Sequence, residues 1–190
     1  LGKYTHSTAI HWYYIPLWIG ITTPVIILFF FSYGFMFSLR RIFFRLIRID
    51  HKNNLKDLWR GPLELQDLIS LGIIVTTVLF IVVFDSTLYS GWRHVYFIYP
   101  FIILISLLGL MNVYINLERF KALHFKRVLN LLISIFVIFN FYWLYKGHPF
   151  QNSYFNFLAV NNPHEKFQVD SWGLSNRFVL EKLIKEDKKE

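Results

Sequence analysis

Arg93 and His94 sit side by side in the stretch YSGWRHVYFIYP, at the mouth of a long apolar run. An arginine cannot shed its charge, so its place there calls for a reason. One reason is anchoring, with the aliphatic stem in lipid and the guanidinium in water. The other is an anion: a planar guanidinium donates paired hydrogen bonds to phosphate and stays charged. His94 can donate when protonated or accept when neutral, Gly91 lets the backbone turn closely, and Trp92 offers a ring. A second polar cluster, GHPFQNSYFN, gathers His148, Gln151, Tyr154 and Asn156 within a few residues. Gly147 and Pro149 there are ordinary helix-ending chemistry, which leaves the other polar residues unexplained. In VDSWG, Asp170 is either a solvated turn carboxylate or an acid that bonds sugar hydroxyls while Trp172 stacks on the ring. A third cluster, HSTAIHWYY, reads as an aromatic belt of Trp12, Tyr13, Tyr14 and Trp18.

Metal chemistry has little to stand on. His6 and His11 are five residues apart, which does not align two imidazoles on one helical face. His94, His148, His164, Asp85 and Asp170 form no compact ligand motif. There is no cysteine, hence no disulfide and no thiol nucleophile. No cofactor is expected, and a divalent metal stays open.

The elements that must position these residues are membrane helices. Of 190 residues, 55% are hydrophobic and 17% charged, a balance foreign to soluble domains. Crossing a bilayer takes about 20 mostly apolar residues, and four runs qualify, at about 15–39, 68–84, 95–117 and 128–145. The expected fold is an all-α membrane protein of four transmembrane helices, residues 1–146, with a small tail from 147 to 190. Eleven of the twenty Lys and Arg lie in loops 40–67 and 118–127, so those loops should face the cytoplasm. Both termini and the 85–94 loop then share the outer side of a bacterial cytoplasmic membrane, which puts all three polar clusters at one surface. The same pattern accounts for the net charge of +8 without a nucleic-acid partner. RRIFFRLIRID is either a helix along the inner leaflet or a continuation of the first span. The DSWG turn precedes an amphipathic pattern at Phe178, Leu180, Leu183 and Ile184. Leu1 reads as a cut, so a fragment is expected.

In order, HWYYIPLWIGITTP, LYSGWRHVYFIYP, GHPFQNSYFNFL and VDSWGLS resemble the C-terminal half of bacterial membrane proteins related to family 39 glycosyltransferases. The resemblance spans about His11 to Ser175; its most specific pieces are GWRH, HPFQ with YFN, and DSWG. It implies transfer of a sugar from a polyprenyl phosphate carrier to an acceptor outside the membrane. Arg93 with His94 would hold the donor phosphate. Trp92, His148, Gln151, Tyr154, Asn156, Asp170 and Trp172 would serve sugar or acceptor. The family's general base belongs to an external loop outside this chain, so the implied partners are a polyprenyl-phosphate-linked sugar, the lipid bilayer, and a missing N-terminal half or partner subunit. The alternative is a non-enzymatic membrane helper or assembly subunit. A transporter fits less well, because the spans lack formal charges.

Overall fold

Proline placement divides the chain into its helices. A computed structural model describes residues 11–47, 59, 61–88, 91–151, 154–159, 162–167 and 173–187. The first helix, α1 (Tyr14–Thr22), stops at Thr23, which is extended at φ −93° and ψ 137°, as the clash with a following proline ring requires. Pro24 then opens α2 (Val25–Ile47), its carbonyl accepting from Ile27 N at 2.9 Å and Leu28 N at 3.2 Å. The stretch expected as one span over 15–39 is therefore two helices, and only α2 is long enough to cross a bilayer.

Pro62 starts α3 (Pro62–Val83) where a missing N–H costs nothing. A 3-10 helix, Arg93–Ile98, leads into α4 (Tyr99–Arg119), with Pro100 in its first turn. Lys121 adopts φ 53°, and Ala122 N donates to Leu117 O at 2.8 Å, a Schellman closure. That tight turn feeds α5 (Leu123–Lys146). A four-residue α6 (Pro163–Lys166) and an exposed α7 (Leu174–Asp187) complete the tail. No strand occurs among the described residues. Four helices are long and apolar enough to cross a membrane: Val25–Ile47, Pro62–Val83, Arg93–Arg119 and Leu123–Lys146. The chain is an all-α, multi-pass membrane protein.

Packing between α2 and α4 forms the spine. Ile98, Ile102 and Ile105 are fully buried, and Ser106 and Gly109 continue the same face. Gly34 of α2 meets Gly109 of α4 so closely that a Cβ on either would run into the other helix's backbone. Lipid tails are as apolar as leucine, so such helices associate by close packing of small residues and by hydrogen bonds between helices. Ser106 Oγ supplies one, to Ile27 O at 3.2 Å. The pairings 27 with 106 and 34 with 109 make α2 and α4 parallel.

Helix α3 runs antiparallel to α2, fastened by ion pairs near the ends of both. Arg41 Nη2 donates to Asp67 at 3.3 Å, and Arg45 grips Glu64 with two bonds of 2.5 and 2.8 Å. RRIFFRLIRID continues the α2 helix as far as Ile47, with Arg48, Ile49 and Asp50 outside the described residues. Its Arg41 and Arg45 are engaged with α3 carboxylates. Helix α5 has no buried residue. A half-buried stripe at Leu129, Ile133, Phe136, Asn140 and Trp143, spaced four and three apart, marks its inward side. The bundle thus has a basic end, at Arg41 and Lys126, and an opposite end where α1 and the tail form a cap.

Candidate functional site

At the capped end, three segments distant in sequence meet around Trp18. Its ring packs 5.3 Å from Phe167 and 6.2 Å from Phe155 of the tail. Gly91, in the left-handed region at φ 72°, presses its backbone on the same indole; an added Cβ would lie 3.4 Å from the ring. Tyr14, one turn earlier on α1, bonds to Trp18 and to the Gly91 backbone, yet desolvation outweighs both and pushes its phenol above the ordinary value. An indole N–H only donates, so the neutral Tyr14 phenol accepts the bond from Trp18.

Trp92 carries this order toward the charged pair. It is buried, and its Nε1 donates to Thr22 Oγ1 at 3.0 Å. Thr22 in turn donates to Trp18 O at 2.7 Å. The Trp92 ring also lies 5.0 Å from Tyr96, which stacks on Tyr99 at 5.3 Å. Arg93 and His94 follow immediately as the first residues of the 3-10 helix, Arg93 half-buried and His94 exposed. The site's cation thus leaves a backbone fixed by a buried tryptophan, at the N-terminal end of a membrane-crossing helix.

Asn156 has a different occupation. Because Pro24 has no N–H, the carbonyl of Gly20 lacks its partner four residues on. Asn156 Nδ2 donates to Gly20 O at 2.7 Å and to Thr23 O at 2.6 Å, and its backbone N–H donates to Ile21 O at 2.8 Å. Its Oδ1 accepts from Leu158 N at 2.8 Å. Both amide hydrogens are spent on backbone, so Asn156 fastens the tail to the break between α1 and α2.

The remaining candidates cluster at the end of α5. Gln151 Nε2 donates to Leu144 O at 3.2 Å and lies 3.0 Å from His148 Nδ1. An amide nitrogen only donates, so Nδ1 accepts and the imidazole proton sits on Nε2. The His148 to Pro149 peptide is cis. Tyr154 meets the Trp143 ring edge-on at 4.7 Å, and burial raises its phenol above the ordinary value. Phe150 packs 5.2 Å from Phe178, seating α7 against this turn. Asp170 and Trp172 lie outside the described residues. Among the described residues no three His, Asp or Glu gather as metal ligands.

No protein-family model matches the chain, and neither a curated protein nor a solved structure does. Its chemistry has to be read from these residues.

Two features of this end were not expected from the sequence. One is the bond set of Asn156, whose signal was Pro24: a helix broken by proline leaves a carbonyl that something must satisfy. The other is a water-sized crevice between the start of α1 and the end of α3, lined by His11 on one side and Asp85 on the other.

Proposed function

We propose that the chain is part of an integral membrane glycosyltransferase that takes a sugar from a polyprenyl phosphate carrier and passes it to an acceptor on the outer face. In this reading the capped end is the outer side of a bacterial cytoplasmic membrane, because Arg41, Arg45 and the α4–α5 turn lie at the opposite end. The observation that carries the reading is the seat of Arg93: a guanidinium at the N-terminal end of a crossing helix, its backbone anchored by Trp92 on Thr22. Phosphate of a membrane-embedded carrier has to stand where lipid meets water. As the bond from sugar C1 to phosphate oxygen breaks, the electron pair stays on that oxygen, and a fixed cation lowers the energy of the departing anion. His94, exposed beside it, assists by donating. With Gln151 Nε2 and His148 Nδ1 engaged with each other and with Leu144 O, the atoms this reading assigns to sugar hydroxyls are His148 Nε2, Gln151 Oε1 and the Tyr154 hydroxyl. The general base is assigned to none of these 190 residues.

The test is binding of a polyprenyl phosphate to the purified chain, to Arg93→Ala and to Arg93→Lys, in one detergent. The expected result is saturable binding, weakened by at least about tenfold, or about 1.4 kcal/mol, in Arg93→Ala, with Lys restoring only part because it lacks the fork. Equal binding by all three would return Arg93 to an anchoring role. It would favour the non-enzymatic helper, for which the exposed Phe178, Leu180, Leu183 and Ile184 of α7 offer a partner surface.

A further inference from the structure

The two basic regions of the chain spend their charge differently. Between α2 and α3 the cations are matched inside the protein, Arg41 by Asp67 and Arg45 by Glu64. The turn between α4 and α5 has no such balance. From 118 to 127 four cations stand against the single carboxylate of Glu118, and Lys126 already holds that carboxylate at 2.5 Å. Arg119, Lys121 and Arg127 are exposed and make no ion pair among the described residues. The first turn of α5 carries no acid either.

The bridge from Glu118 to Lys126 also fixes where these cations stand. It ties the last turn of α4 to the start of α5 and brings both partners to one height. Arg119 and Arg127 are the next residues along antiparallel helices, so their heights differ by about 3 Å at 1.5 Å per residue. Lys121 sits in the turn that joins them, in the left-handed region at φ 53°. Phe120, Leu123 and Phe125 interrupt the cations, and Phe120 is 77% exposed. At the end of two membrane-crossing helices, such apolar side chains gain most where acyl chains cover them. That sets the cations at the height of the lipid phosphates, which long basic side chains reach with their stems in the apolar layer. Cations clustered beside a crossing helix attract anionic lipid, each adding about fivefold in affinity, or about 1 kcal/mol.

We infer that the α4–α5 turn binds anionic phospholipid through Arg119, Lys121 and Arg127. A lipid held across both helices also holds α5, which buries no residue of its own, against α4. The site stands at the opposite end of the bundle from Arg93 and is the same whether the chain is a transferase or a helper. For the test, the full chain is placed in nanodiscs of phosphatidylglycerol and phosphatidylcholine with matched acyl chains. Lipids retained after release are counted by native mass spectrometry.

The expected result is preferential retention of phosphatidylglycerol by at least about tenfold at low salt, falling as salt screens the charges. Lys121→Gly should lower that preference by about fivefold. Because glycine is the usual occupant of a left-handed helix end, the same variant should melt no lower than the parent in phosphatidylcholine alone. Lost lipid without lost stability is what a merely structural lysine would not produce. Arg119→Gln combined with Arg127→Gln, both exposed positions, should remove most of the preference that remains. Lys182→Gln, which removes an exposed cation on α7, should change nothing. Equal retention of the two lipids by the parent, an unchanged preference in Lys121→Gly, or an equal loss in Lys182→Gln would each overturn the inference.

Discussion

Replacing Asn156 by alanine tests how the cap is held. The substitution removes three side-chain bonds: the two amide donations to Gly20 O and Thr23 O, and the acceptance from Leu158 N. The backbone donation to Ile21 O survives. At about 1 kcal/mol net for each bond, the loss should be about 3 kcal/mol. Since Asn156 is only 7% exposed, water does not readily replace what is lost. The argument becomes sharper in a cycle with Pro24→Ala. An alanine at 24 restores an N–H that can reach Gly20 O in ordinary helical fashion, so Asn156→Ala should then cost about 1 kcal/mol less than in the parent. Equilibrium unfolding in mixed micelles, followed by tryptophan fluorescence from Trp18 and Trp92, reads both numbers. Two results would refute the reasoning: a loss under about 0.5 kcal/mol in the single variant, or strict additivity in the cycle.

Two further outcomes follow from packing. Gly34→Ala should destabilise the bundle by at least about 2 kcal/mol, in the range of core overpacking, because its Cβ would sit 2.9 Å from Gly109 N and closer still to Ile105 O. Gly20→Ala, whose Cβ meets nothing within 4 Å, should be neutral or slightly stabilising in the same unfolding assay, and equal losses for the two would contradict the crossing geometry. Glu64→Gln should cost about 1–2 kcal/mol, because Arg45, with a side chain 14% exposed, loses a two-bonded carboxylate. Pairing Arg45→Met with Glu64→Leu should recover most of that loss, measured by the same unfolding.

How much of this could be read from the chain depended on the range of each interaction. Four charge-free runs gave four crossing helices, because crossing a bilayer is a property of consecutive residues. Proline positions were visible for the same local reason, although the run over 15–39 was expected as one span and Pro24 divides it into α1 and α2. What Pro24 demanded was invisible, since its remedy, Asn156, lies more than a hundred residues away. The resemblance placed Asn156 among residues serving sugar or acceptor, because a side chain spent on backbone carbonyls looks no different in sequence from one aimed at a ligand. The meeting of Gly34 with Gly109 left no trace either, as each stands alone among bulky neighbours and only the crossing makes them a pair. Arg41 and Arg45 read as lipid-facing cations until the antiparallel α3 brought Asp67 and Glu64 beside them.

Helix α5 answers to a different master from its neighbours. Positions on α4 such as Ile102 and Gly109 are bound to particular shapes, because another backbone lies against them. Along α5 nearly every outward position is bound only to being greasy, so leucine, isoleucine, phenylalanine and valine are close to synonyms there. Over generations the two helices should therefore drift at unequal rates, α4 slowly and by rare compensated steps, α5 freely within its apolar alphabet. Reconstructing the ancestry of such a chain would lean on the inner helix and find little memory in the outer one.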